Sequence, residues 1–102
     1  MHLIQMFIPL LDNNDKPFSK GHYAHIRETL TKKFGGLTAY NRAPAEDLLK
    51  DEQNTAHHDE IVIFEVMANE LDGPWWQAYK QQLKYTFSQD EIIIRVQKIL
   101  LL

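Results

Sequence analysis

A chain of 102 residues with 44% hydrophobic and 25% charged residues has the composition of an ordinary globular protein, which excludes a disordered, collagen-like or membrane-spanning chain and predicts a single α+β domain over residues 1–102. Area scaling puts about 65% of the surface out of water on folding, enough for a modest core. Eleven basic against fourteen acidic residues give a net charge of −3, without the basic footprint of a nucleic-acid binder. The lack of cysteine excludes disulfides, thiolate metal sites and a Cys nucleophile.

Leu3 to Leu11 is apolar at nearly every position and reads as a buried strand, too short for a helix and rich in β-branched and aromatic residues. A secretory leader needs an early Lys or Arg. Here Gln5 and Pro9 interrupt the apolar run and Asp12-Asn13-Asn14-Asp15 follows, so a strand and turn are expected, in a protein of the cytoplasm. No run approaches the roughly 20 apolar residues of a membrane span. Ser19 is suited to cap a helix, with Phe18 and Tyr23 as a hydrophobic staple. Tyr23, Ile26, Leu30 and Phe34 make one helical stripe, and Gly35-Gly36 provides a left-handed stop.

Leu37 to Arg42 predicts a short strand. Residues 45–59 read either as an outer strand that turns back on itself or as a polar loop. Ile61 to Met67 predicts a strand, and Asp72-Gly73-Pro74 opens a second helix with the stripe Trp76, Tyr79, Leu83 and Phe87. Ile92 to about Ile99 is the last strand, followed by the apolar Leu100-Leu101-Leu102. The order βαββαβ, with two helices of identical stripe spacing, predicts a ferredoxin-like sandwich. Its antiparallel sheet has the order 4-1-3-2 and carries both helices on one face, with an optional extra hairpin between the second and third strands.

Alternation then assigns a face to each strand residue. Ile4, Met6 and Ile8, Leu37 and Ala39, Val62, Phe64 and Val66, and Ile92, Ile94 and Val96 turn towards the helices. The opposite face carries Leu3, Gln5 and Phe7, Thr38, Tyr40 and Arg42, Ile61, Ile63, Glu65 and Met67, and Ile93, Arg95 and Gln97. That face is too apolar to stand bare, so a second copy of the sheet is expected to cover it in a homodimer. The βαββαβ order, the stretch Phe34-Gly35-Gly36-Leu37-Thr38-Ala39-Tyr40, the apolar third strand and the aromatic second helix resemble the dimeric α+β barrel superfamily, and within it small bacterial families of unknown function. The resemblance implies a fold and a dimer. The superfamily includes cofactor-free monooxygenases, isomerase-like proteins, haem-handling enzymes and plain ligand binders, so it implies no single reaction.

The polar residues of the free face form the principal candidate site: Arg95, Gln5, Glu65 and then Tyr40 or Arg42 in a row across the sheet, with Gln97 and Phe7 beside it. Glu65, desolvated among apolar neighbours, suits a general acid or base, with a pKa expected to rise. The competing expectation is an Arg–Glu pair that sets the register of a dimer. His57-His58-Asp59-Glu60 has metal-ligand chemistry, but alternation lets only two of the four converge, and a solvated loop is the ordinary reading. His22 and His25 are expected on the helix surface, and Trp75-Trp76 in the core with one exposed edge. No phosphate-binding Gly-rich loop, GxSxG or HExxH motif is present, so no cofactor or metal is implied.

The expected function is binding of a small, partly apolar organic molecule in a cavity at the sheet face, extended by the resemblance to cofactor-free oxygenation or rearrangement. Glu65 and Tyr40 would act as acid and base, and Gln5, Arg42, Arg95, Gln97 and Phe7 would hold the ligand. The alternative is a non-enzymatic interaction protein whose sheet face is only the subunit interface. Partners expected are a second copy and a small molecule, with neither nucleic acid nor membrane.

Overall fold

The computed structural model describes residues 1–42 and 60–102. The elements run β1 (His2–Pro9), α1 (Lys20–Phe34), β2 (Thr38–Arg42), β3 (Ile61–Ala68), α2 (Gly73–Thr86) and β4 (Ile93–Lys98). The strands form one antiparallel sheet in the order β2-β3-β1-β4, which is the expected 4-1-3-2 read from the other edge. The extra hairpin expected within 45–59 and the cluster His57-His58-Asp59 lie outside the described residues. Among the described residues, no helix is long and apolar enough to cross a membrane.

Local chemistry sets the helix ends. Ser19 has extended backbone and its hydroxyl accepts from the Gly21 N–H at 3.2 Å, so one of the free first-turn donors is satisfied. At the other end Gly35 takes φ 80° and its N–H returns to the Thr31 carbonyl. This left-handed geometry costs glycine nothing. Asp72 caps α2 by accepting from the Trp75 N–H at 3.2 Å, with Pro74 in the first turn where its missing N–H is harmless. Between β1 and α1, Asp12 Oδ1 accepts from the backbone N–H groups of Asn14 and Lys16 at 2.7 and 2.9 Å. These bonds hold the Asp12 carboxyl below its usual pKa.

The core fills the space between one sheet face and both helices. Ile4, Met6 and Ile8 of β1 and Val62, Phe64 and Val66 of β3 pack with Ile26 and Leu30 of α1 and with Trp76, Tyr79 and Leu83 of α2; Phe87 and Ile92 complete the cluster. Phe18 and Tyr23, expected to staple the α1 entrance, both bear on the Phe87 ring, with centroids at 4.9 and 5.5 Å. Two positions assigned to the helix side depart from expectation. Ala39 is exposed and Val96 is 41% exposed, because β2 and β4 are the sheet edges and the helix stripes pack mainly on the two central strands.

One core group is left polar. Tyr79 is 5% exposed, and its hydroxyl has no hydrogen-bond partner among the described residues. Burial pushes its pKa up to about 12, with a weaker opposing pull from nearby Thr29. Burial also pushes Tyr23 up to about 12, while its hydroxyl donates to the Pro9 carbonyl at 2.8 Å. Both phenols are easier to ionise in the unfolded chain. Their contribution to stability is complete below the unfolded value near pH 10 and is lost as pH rises towards 12. Tyr79→Phe is expected to keep or raise stability, by up to about 1 kcal/mol, because an unmet buried hydroxyl costs more than its removal. The same substitution should flatten the stability loss above pH 10. Urea midpoints at pH 7 and pH 11 measure both effects.

Candidate functional site

Register builds the free face as parallel rows across the sheet. Gln97, Leu3 and Met67 form one row; Arg95, Gln5, Glu65 and Thr38 the next; and Ile93, Phe7, Ile63 and Tyr40 the third. The polar row is thus enclosed on both sides by apolar ones. Ile63, between Phe7 and Tyr40, is 3% exposed although it belongs to the face opposite the helices.

Four of the expected site residues meet in one hydrogen-bonded set. Gln5 Nε2 donates to Glu65 Oε1 at 2.8 Å and to the Tyr40 hydroxyl at 3.2 Å, and Tyr40 donates to the same Glu65 oxygen at 3.2 Å. On the other side Arg95 donates to Gln5 Oε1 at 3.2 Å. A guanidinium only donates and a carboxylate only accepts, so the Gln5 amide has one sensible orientation between them. The Arg95 guanidinium also lies 4.7 Å from the centre of the Phe7 ring, a cation–π arrangement worth about 0.5–1 kcal/mol at an exposed site. Tyr40 reaches this set diagonally, from one register step beyond Thr38.

The charges are separated, with no direct Arg95–Glu65 ion pair among the described residues; Gln5 links them. Among the described residues, Glu65 Oε2 carries no hydrogen bond, both donors having chosen Oε1. Partial desolvation, reinforced by the hydrogen bond to Glu65 and its negative charge, raises the Tyr40 pKa, while Gln5 and Arg95 oppose it. Tyr40 therefore keeps its proton at neutral pH and acts as a donor. Beside Glu65 lies a hollow of about 370 Å³, lined by Leu3, Leu37, Thr38, Met67 and the α1 end at Phe34, Gly35 and Gly36. Its size falls within the range of small-molecule sites.

The remaining candidates divide. Arg42 pairs in register with Ile61 rather than with the polar row, four residues and about 13 Å along the strand from Thr38. Tyr40, one register step beyond Thr38, is bonded to the row; the Arg42 side chain lies outside the described residues. Gln97 lies opposite Leu3, and its side chain makes no hydrogen bond among the described residues. His22 packs edge-on to Phe87 at 5.6 Å, and His25 is exposed. They line a second hollow of about 490 Å³ between the helices, remote from the polar row, and no group of three metal-ligating side chains occurs among the described residues. Trp76 is in the core, and Trp75 packs against Trp76, Tyr79 and Phe34 with Lys33 over its ring at 4.7 Å. The aromatic pair is thus occupied by packing.

Sequence reasoning missed Thr38, which completes the polar row, and the hollow itself. The available signal was Gly36. A Cβ placed there would meet nothing within 4 Å, and Gly35-Gly36 line the hollow as well as ending α1.

The chain has the ferredoxin-like α+β fold, with a bonded polar set on the sheet face away from its helices. No protein-family model matches the sequence, and no curated protein is similar to it. Among solved structures it is similar to a phage SAM lyase in complex with S-methyl-5'-thioadenosine, at a TM-score of 0.59 and 14% identity, over 95% of this chain and 80% of that one. At that identity the likeness establishes the shared fold.

Proposed function

We propose that the protein is a homodimer that binds a small, partly apolar organic molecule at the sheet face, with Glu65 and Tyr40 facing the ligand as acceptor and donor. The observation that carries this reading is the bonded set Gln5–Tyr40–Glu65–Arg95 beside the 370 Å³ hollow. A ring or alkyl group fits the apolar lining, and the polar groups orient it. Among the described residues Glu65 Oε2 is available to accept a proton or a hydrogen bond, and Tyr40, by turning its one O–H from Glu65 to the ligand, can donate to a developing oxyanion. That pairing suits a cofactor-free proton transfer, the step common to rearrangement and oxygenation of activated carbon acids. The fold likeness supports a small-molecule role by analogy, because a protein of the same architecture is a lyase holding a small ligand.

Pairing of two sheets is supported by apolar exposure. Met67 is 49%, Ile93 53% and Tyr40 41% exposed on this face, and Leu100 and Leu101 beyond β4 are 92% and 60% exposed. A two-fold copy is the simplest cover for such a surface.

Native mass spectrometry of the purified dimer identifies what it carries, and Glu65→Gln tests the site. The expected result is a dimer that persists while ligand affinity falls about 10- to 100-fold, the range for losing a charged hydrogen-bond partner. A substituted protein that falls apart into monomers, from a wild type that carries and binds nothing, would replace this reading with a face that is only an interface.

A further inference from the structure

Resting on the ligand-binding reading above, we infer that the hollow beside Glu65 selects the cationic end of its ligand: an alkylated ammonium or similar compact organic cation sheathed in carbon. Two independent features set this polarity. The first is the Glu65 carboxylate, the only ionisable group among the described residues lining the hollow. The second is the wall formed by Phe34, Gly35 and Gly36, where α1 terminates. Apart from Thr31, whose carbonyl the Gly35 N–H bonds, the last carbonyls of α1 extend past its last turn and carry part of the negative end of the helix dipole, which Lys32 and Lys33 of that turn partly offset.

Among the described residues, Lys33 and Arg95 are held elsewhere. Lys33 pairs with Asp72 at 4.0 Å and lies over the Trp75 ring, and neither Lys32 nor Lys33 lines the hollow. Arg95 is bonded to the far side of Gln5 and stacks on Phe7. Of the rest of the lining, Leu3, Leu37, Val66 and Met67 are apolar, and the Thr38 hydroxyl is the one neutral polar side chain, without a positive charge to hold an anion. A strongly hydrated, compact cation would lose its water there without full replacement. A cation whose charge is buried under methyl groups loses little, and gains both the apolar contact and the negative field.

Three probes that share a phenyl ring and differ in the charge of the head group distinguish the preference: 3-phenylpropyl-trimethylammonium as cation, 4-phenylbutyrate as anion and 4-phenylbutanol as neutral alcohol. Each is titrated into the full-length protein while the methyl signals of Leu3 and Met67 are followed by NMR. The cation is expected to bind at least tenfold tighter than the anion, to move both methyl signals and to weaken with added salt. Glu65→Gln should sharply reduce the difference between cation and alcohol, leaving the smaller share that the α1 end contributes. Gly36→Phe, which adds a ring to the wall of the hollow at a backbone position with no neighbour to clash with, should weaken binding of the cation at least tenfold while leaving the circular dichroism of the fold intact.

Equal or tighter binding of the anion overturns the charge preference while preserving a ligand site at the sheet face. No movement of Leu3 or Met67 with any probe overturns the hollow as a binding site altogether. Undiminished cation binding by Gly36→Phe overturns its location.

Discussion

Phe87→Ala is expected to destabilise the protein by about 3–5 kcal/mol, the range for removing a fully buried aromatic ring. Phe87 is 0% exposed and is the ring on which three others converge: Phe18 edge-on at 4.9 Å, His22 at 5.6 Å and Tyr23 at 5.5 Å. It joins the start of α1 to the end of α2, where its own N–H bonds the Leu83 carbonyl at 2.9 Å and Ser88 then turns the chain at φ 51°. Truncation leaves a cavity at a junction whose surrounding rings are tied to both helices. A domain of this size has about 5–15 kcal/mol in total, so the variant should be substantially unfolded at moderate urea. Tyr85→Ala, two residues earlier at an 88% exposed position, is the control, with a change within about 0.5 kcal/mol. Urea denaturation followed by circular dichroism separates the two, and equal effects would remove Phe87 from its junction role.

Ile93→Lys is expected to separate the subunits of the proposed dimer without unfolding either. Ile93 is 53% exposed and lies in the row with Phe7 and Ile63, so a lysine there is harmless in one subunit alone. In a two-fold pair it places a charge from each copy in the covered apolar face. Desolvation and like-charge repulsion together cost several kcal/mol, which corresponds to at least about 100-fold weaker association. Sedimentation velocity of wild type and variant at matched concentrations gives the answer. A wild type that already sediments as a monomer would remove the dimer and leave the site on an open face.

The central strands and both helices are legible in the sequence because their signals are local and redundant. In α1, Ser19, the Tyr23–Phe34 stripe and Gly35 independently mark start, face and stop. In β1, period-two alternation assigns Ile4 and Gln5 to opposite faces with no knowledge of neighbours. The polar row is partly legible for the same reason. Once β1 is central, Gln5 must lie near one residue from each flanking strand, but register decides which. Register places Thr38 opposite Glu65 with Tyr40 one step beyond, and no local feature of Leu37–Arg42 encodes it. Side-chain reach then adds a step: Tyr40 meets Glu65 diagonally because a phenol is long, while Thr38 takes the position directly opposite. The hollow beside Glu65 was hidden because an absence of side chains at Gly35 and Gly36 reads, in one dimension, only as a helix end.

The amide of Gln5 has a further consequence. It spends its oxygen on β4 and its nitrogen on β3 and β2, so it cannot turn over without breaking its bonds to both flanks together. Whatever occupies or neutralises the β3 carboxylate therefore changes the hold on a guanidinium one strand beyond, and the middle strand transmits that change with a fixed direction. A change at β3 is in this way passed across β1 to the edge strand β4, through a single uncharged side chain.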